Sequence, residues 1–245
     1  MLIMLNHLLV ENNKMNKKIL ITGTNSGLGS FLKRKFENPI CITRENPLTD
    51  DIVSEGVDTI IHCAFNQNRN ELNFVTKQSY SDNIALTQNL LKVPHKRFVY
   101  ISTCQIVELN SKSEPSPYVT MKALNEHMIR EQSKNYLILR PSCFIGDKMR
   151  KNSIHKLMNN EDITLTEDSV NDFILTEDVY NAIESYESGI FYLLSNKKIT
   201  MKEIAEKYNK KINFGNFKYE INVESDIDIG RTSFEILKEH FGEIE

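Results

Sequence analysis

The chain has 245 residues, 40% of them hydrophobic and 26% charged, the make-up of an ordinary globular protein with enough length for one α/β domain and a sizeable core. A formal net charge of −3 offers no basic surface to nucleic acid or an anionic membrane, and no apolar run is long enough to cross a bilayer. The four cysteines, Cys41, Cys63, Cys104 and Cys143, form no CxxC pair and no cluster with histidine, so no metal site is expected and they read as reduced, mostly buried thiols of a cytoplasmic protein.

Residues 1–14 precede a second methionine, Met15, and lack the basic n-region and cleavage site of a signal peptide; they read as an N-terminal extension of a single domain over 15–245. Lys18–Thr22 is a β-branched run that predicts the first strand. Thr22-Gly23-Thr24-Asn25-Ser26-Gly27-Leu28-Gly29 follows it and opens a helix over Leu28–Phe36. Gly23 permits a tight turn, Gly27 lets the backbone approach a pyrophosphate, and Gly29 lets the helix pack closely on the strand. The helix N-terminus adds free N–H groups and a partial positive charge. Gly23, Thr24, Asn25, Ser26, Gly27, Leu28 and Gly29 are therefore the expected phosphate-binding residues.

A second strand, Pro39–Thr43, ends at Arg44. An acid at this place grips the ribose 2′-hydroxyl of NAD, whereas a guanidinium suits the 2′-phosphate of NADP, so Arg44 favours NADP, with NAD as the alternative. The stretch from Arg44 to Val57 is too short for helix, strand and second helix, and the third strand is expected to be stunted or absent. Strands at Asp58–Ala64, Arg97–Ser102 and Tyr136–Arg140 alternate with helices at Ser81–Leu91 and Pro117–Ser133. This alternation predicts an α/β fold: a Rossmann-type doubly wound parallel sheet with helices on both faces.

Beyond Gly146 the pattern loosens. It predicts a helix over Met149–Asn159, a short strand at Asp162–Leu165, a helix at Thr176–Tyr186, a strand at Gly189–Leu194 and a helix around Ser233–Phe241. Thr200 with Glu203 forms a capping-box pattern for a helix to Tyr208. Residues 147–172 and 212–245 are expected to form a small C-terminal substrate lobe.

Tyr118 and Lys122 lie one helical turn apart behind Ser116-Pro117, a natural helix start. Of the nine tyrosines only Tyr118 has a lysine at this spacing. A cationic lysine beside the phenol lowers its pKa from about 10, so that Tyr118 can exchange a proton with a substrate oxygen. Lys122 can also hold the cofactor ribose. Thr103, directly after the strand ending at Ser102, is the expected hydroxyl opposite the tyrosine, with Ser102 the runner-up.

Together these segments resemble the extended short-chain dehydrogenases, the NAD-dependent epimerase/dehydratase family acting on nucleotide sugars, from about Lys17 to Ala205. Asp58–Ala64 resembles the family's strand under the nicotinamide, which implies that Cys63, Ala64 and Phe65 line the cofactor. The helix from Asn83 to Leu91 and the segments Ile101–Val107, Ser116–Glu126, Leu139–Gly146 and Asp172–Val179 match further family motifs in order. The resemblance implies a catalytic tetrad of Asn83, Thr103, Tyr118 and Lys122, with Asn83 holding a helix and a water of the proton relay. It also implies a nucleotide-sugar substrate and a homodimer through the helices bearing Asn83 and Tyr118.

Two departures bear on the reaction. Dehydratases of the family carry an Asp-Glu pair after the Thr103 position, where this chain has Cys104-Gln105, so a 4,6-dehydratase is not expected. Pro47–Asp50 stands where the family often has an acid touching adenine. The compact Arg44–Val57 region is closer to the dTDP-4-dehydrorhamnose reductases than to the large epimerases. The leading expectation is NADPH-dependent reduction of a keto group on a nucleotide-linked sugar. An epimerase with tightly held NAD and a non-catalytic dinucleotide sensor are the alternatives. His62, His95, His127 and His155, and the arginines Arg69 and Arg231, are read as structural or solvated residues.

Overall fold

The computed structural model describes residues 17–25, 27–66, 76–110, 115–149 and 151–242. Residues 1–14, Ser26 and Arg69 lie outside them. Six parallel strands form the main sheet: β1 (Ile19–Thr22), β2 (Ile40–Ile42), β3 (Val57–His62), β4 (His95–Ile101), β5 (Tyr136–Pro141) and β9 (Gly189–Leu193), in the order β2-β1-β3-β4-β5-β9. Their helices are α1 (Gly27–Lys35), α2 (Asp50–Glu55), α3 (77–91), α4 (Pro117–Gln132) and α6 (Thr176–Ser185). α3 is continuous through Lys77–Tyr80, a π-turn at Ser81–Ala85, and Leu86–Leu91.

Both faces of the sheet are covered, which is why the strands read as nearly unbroken apolar runs. Ile21, Ile61, Val99, Leu137 and Leu139 pack against Leu28 and Leu32 of α1 and Val179, Ala182 and Ile183 of α6. The alternate residues Leu20, Ile60, Phe98, Tyr100 and Ile138 face Leu90 at the end of α3 and Ile129 of α4. α2 alone joins β2 to β3, so β2 is an edge strand and the additional strand of a full crossover is absent, as the short Arg44–Val57 stretch requires. The chain passes from β1 to β2 on one side and to β3 on the other. The crevice at the carboxyl ends of β1 and β3 is therefore a topological switch point, where open α/β sheets bind ligands.

A third apolar cluster lies off the sheet. It is built from β6 (Cys143–Ile145), α5 (Ser153–Met158), β8 (Phe173–Leu175), β10 (Ile199–Thr200), α7 (Met201–Lys207) and α8 (Ser233–Phe241). β6 pairs with β8, and β7 (Val170–Asn171) pairs with β10. Ile199, Met201, Ile204, Ala205 and Tyr208 belong to this cluster although they fall outside the two stretches assigned to a lobe from sequence. Asp162–Leu165 is not a strand; only Leu165 makes an isolated bridge, to Phe217. The helix expected over Met149–Asn159 is confined to α5, because Asn152 caps it by accepting from the His155 N–H. Thr200 and Glu203 form the expected capping box of α7.

Candidate active site

The first wall of the crevice is the turn between β1 and α1. A Cβ on Gly29 would lie 2.2 Å from the Gly23 carbonyl oxygen, and one on Gly23 would lie 2.9 Å from the Ala64 nitrogen. Gly27 has φ +50°, a conformation that favours glycine. Thr24 is buried, Asn25 is exposed, and Leu28 anchors the helix in the core. The backbone cradle at the N-terminus of α1 thus fits the pyrophosphate of a dinucleotide. In this structure the Gly27 N–H donates to the Lys148 carbonyl at 3.1 Å, so a phosphate at that point would replace a contact to the segment ahead of α5.

The second wall is the loop after β3. Thr22 Oγ1 accepts from the backbone N–H groups of Cys63 (3.1 Å) and Ala64 (3.0 Å). His62 is fully buried, with Nδ1 2.7 Å from Thr22 Oγ1 and Nε2 2.9 Å from Thr87 Oγ1. Thr87 in turn donates to the Asn83 carbonyl, so its oxygen accepts from His62 Nε2–H and the ring is neutral. Burial accordingly pushes the imidazole down to about 3. Asn83 holds the loop from the other side: its Oδ1 accepts from the Asn66 N–H at 2.7 Å and its Nδ2 donates to the Asn66 carbonyl at 2.8 Å. The π-turn carries Asn83, whose own carbonyl also accepts from Asn125 Nδ2 at 3.1 Å.

The third wall is β4 and α4. Ser116 caps α4 by accepting from the Val119 N–H, with Pro117 in the first turn. Tyr118 hydrogen-bonds the Thr103 side chain and stacks edge-on against Phe65, with ring centroids 5.1 Å apart. Lys122 is buried; its Nζ donates to the Ile101 carbonyl at 2.6 Å and lies 4.5 Å from the centre of the Phe65 ring. Thr103, Tyr118, Lys122 and Phe65 are thus brought together, and Asn83 reaches them through the loop it pins. Ser102 is otherwise engaged, donating to Glu126 Oε1 at 2.5 Å. The same carboxylate takes two hydrogen bonds from Arg140, at 3.1 and 2.7 Å, and ties α4 to β5.

One electrostatic expectation is overturned. Burial raises the Tyr118 phenol to about 12, outweighing the lowering effect of the Thr103 hydrogen bond. Lys122 does not lower the phenol, because its ammonium is turned to the Ile101 carbonyl and the Phe65 face. Burial instead brings Lys122 itself down to about 7. Burial also pushes the thiols of Cys63 and Cys104 up to about 12 and that of Cys143 to about 11, and all four cysteines are unpaired. Only Cys104 is fully buried; the other three are partly exposed.

Beyond Tyr118 a small cleft is lined by Cys104, Ser142, Cys143, Asp172, Lys198 and Tyr219, among others. Gln105 Nε2 donates to the Tyr219 hydroxyl at 3.3 Å. Tyr219 comes from an irregular stretch, and no periodicity or motif in the sequence singles it out. At the far end of the crevice Arg44 is ion-paired with Asp82, 2.5 Å away, and Glu45 meets Asn25 of the glycine turn at 3.1 Å. Glu45 and Asp82 were not anticipated, although an acid directly after Arg44 is a signal at the right distance from the glycines. His95 and His155 make structural hydrogen bonds and His127 is exposed, while Arg231 is ion-paired with Asp178 and Glu239 rather than solvated alone. Among the described residues no three His, Cys, Asp or Glu side chains gather as a metal site, and no helix is long and apolar enough to cross a membrane.

The fold is shared with solved enzymes of low identity. dTDP-4-dehydrorhamnose reductase from Bacillus anthracis, solved in complex with NADP, superposes with a TM-score of 0.69 at 19% identity, over 93% of this chain and 99% of that one. UDP-N-acetylglucosamine 4-epimerase from Bacillus cereus gives 0.64 at 22% identity, over 94% and 98%. RMD from Pseudomonas aeruginosa, complexed with NADPH, gives 0.63 at 16% identity, over 94% of each chain. No curated protein matches the chain. The model of the NAD-dependent epimerase/dehydratase family matches residues 19–185, more than half of the sequence, and the chain belongs to that family.

Proposed function

We propose that the protein is a reductase of the extended short-chain dehydrogenase type, acting on a keto group of a nucleotide-linked sugar in the cytoplasm. The observation that carries this reading is the meeting of Tyr118, Thr103, Lys122 and Phe65 in one crevice beside the glycine turn, where burial raises the Tyr118 phenol so that it bears its proton at neutral pH. A protonated phenol is an acid, and reduction of a carbonyl needs an acid at the oxygen. The dinucleotide, NADPH or NADH, supplies the hydride when bound. The turn from Gly23 to Gly29 holds its pyrophosphate at the α1 N-terminus. Ala64 and Phe65 line its nicotinamide side, with Cys63 behind them, and Lys122 meets its ribose. Thr103 orients the substrate oxygen, and Tyr118 passes its proton to that oxygen as negative charge develops there. Asn83 acts as a positioning residue, through the Asn66 backbone.

The sugar is bound beside Tyr118 and Thr103, and the apolar cluster off the sheet serves as the substrate lobe. Neither Cys104 nor Gln105 offers the carboxylate a dehydratase needs. Relatives of the same fold that act on nucleotide sugars support the substrate class. Tyr118→Phe keeps the ring and its packing but removes the proton. Turnover of keto-sugar nucleotides is expected to fall by about 10²–10⁴-fold with dinucleotide affinity nearly unchanged. Unchanged turnover, or epimer interconversion on NAD that survives dialysis with no net consumption, overturns the reductase reading.

The same reading includes a homodimer formed through α3 and α4, on which Tyr80 and Leu124 are large exposed apolar side chains. Light scattering is expected to give twice the chain mass of 28.4 kDa. A monomer at micromolar concentration contradicts it.

A further inference from the structure

The end of β2 carries two neighbouring charges of opposite sign, and each has a different partner. Arg44 donates from Nη2 to Asp82 Oδ2 at 2.5 Å. Asp82 is the anchored member of the pair: the same oxygen accepts from Asn66 Nδ2 at 2.9 Å, and Oδ1 accepts from Gln78 Nε2 at 2.6 Å. Its side chain is 20% exposed against 69% for Arg44. Glu45, the next residue, accepts from Asn25 Nδ2 in the glycine turn.

The end of the second strand is where the fold presents side chains to the adenosine ribose. A plain ribose offers a 2′-hydroxyl, which donates to a carboxylate. A 2′-phosphate is a near-dianion that needs a free guanidinium and is repelled by carboxylates. Arg44 by itself would favour the phosphate. Here its charge is already matched by an acid that two other neighbours, Asn66 and Gln78, keep in place by hydrogen bonds, while a second acid stands beside the turn.

We propose that Asp82 is a specificity-determining residue: it withholds Arg44 from a 2′-phosphate, and with Glu45 it lets the protein bind NADH about as well as NADPH. The proposal rests on the glycine turn holding a dinucleotide. Asp82 touches neither the reacting atoms nor the nicotinamide; it acts through Arg44 and through its own charge.

The test is direct titration of NADH and NADPH, read by nicotinamide fluorescence and by calorimetry, on the unaltered chain and on Asp82→Asn. Asparagine keeps an acceptor for Gln78 or Asn66 and removes the charge. The two dissociation constants are expected to lie within about tenfold of each other in the unaltered chain, and Asp82→Asn should tighten NADPH by about tenfold or more while NADH moves by less than about threefold. Arg44→Ala gives an independent arm. It should cost NADPH little in the unaltered chain, where the guanidinium is withheld, and about tenfold in the Asp82→Asn background. If both dinucleotides bind and their ratio is the same in the unaltered chain and in Asp82→Asn, or if Arg44→Ala costs NADPH equally in both backgrounds, the assignment of Asp82 is overturned. If neither dinucleotide binds the unaltered chain, the dinucleotide reading of the glycine turn fails and takes this proposal with it.

Discussion

Lys122 sits at the centre of the crevice with little water around it. Burial brings its ammonium to about 7, so near neutrality a small rise in pH discharges it. If its charge holds the ribose, kcat/KM falls as pH rises through about 7. Tyr118 adds no second limb there, because its proton stays on up to about 12. Stability runs the other way. The unfolded chain holds the Lys122 proton up to its ordinary value near 10.5, whereas the folded chain releases it near 7. The unfolded state therefore binds more protons between those limits, and this group makes stability rise with pH across them. Lys122→Met should be poorly active, and its stability should lack that rise. A flat kcat/KM between pH 6 and 9 in the unaltered protein would show that the charge state of Lys122 does not matter to turnover. Glu126 and Arg140 behave differently. Glu126 is buried and Arg140 half-buried, and their charges neutralise each other beneath the site, which makes them part of the scaffold rather than of the chemistry.

At the scale of elements, what could be read from sequence is what repeats a strong local signal. β1, α1, β3, β4, α4 and β5 announce themselves through apolar runs, glycine spacing and the Ser116-Pro117 cap, and their order carries Thr103, Tyr118 and Lys122 to one crevice. The direction of the Lys122 ammonium could not be read, because it depends on a carbonyl of another element, Ile101. The π-turn in α3 was equally silent. One extra residue in a turn leaves the helical spacing intact to the eye, yet it sets Asn83 against the backbone of Asn66. The pairs β6–β8 and β7–β10 are two or three residues long, too short for any periodicity to show, and their stability comes from burial under α7 and α8. The segment ahead of α5 is in the same position. Nothing in Gly146–Met149 predicts that the Lys148 carbonyl meets the Gly27 N–H, and only the folded chain reveals that this segment and a pyrophosphate want the same donor.

The whole molecule is organised around a seam. Two apolar clusters cover the faces of the sheet, a third fills the lobe, and Ile229 packs against both the lobe cluster and one of the sheet clusters. The Gly27 N–H to Lys148 carbonyl bond ties the glycine turn of the crevice to the segment that leads into the lobe. A dinucleotide bound there should stabilise everything that must stay folded to form the crevice. At one hundred times its dissociation constant, a ligand that binds only the folded state adds about 2.7 kcal/mol. For a chain of this size that corresponds to a rise in Tm of about 5–10 °C. Because strands β6 and β8 continue directly from β5 and into α6, the lobe and the sheet should melt in one transition, and that single transition should move by this amount. Calorimetry with and without dinucleotide reads both points. Two transitions, of which only one responds to the ligand, would mean that the lobe holds together by itself and that the seam transmits nothing to it.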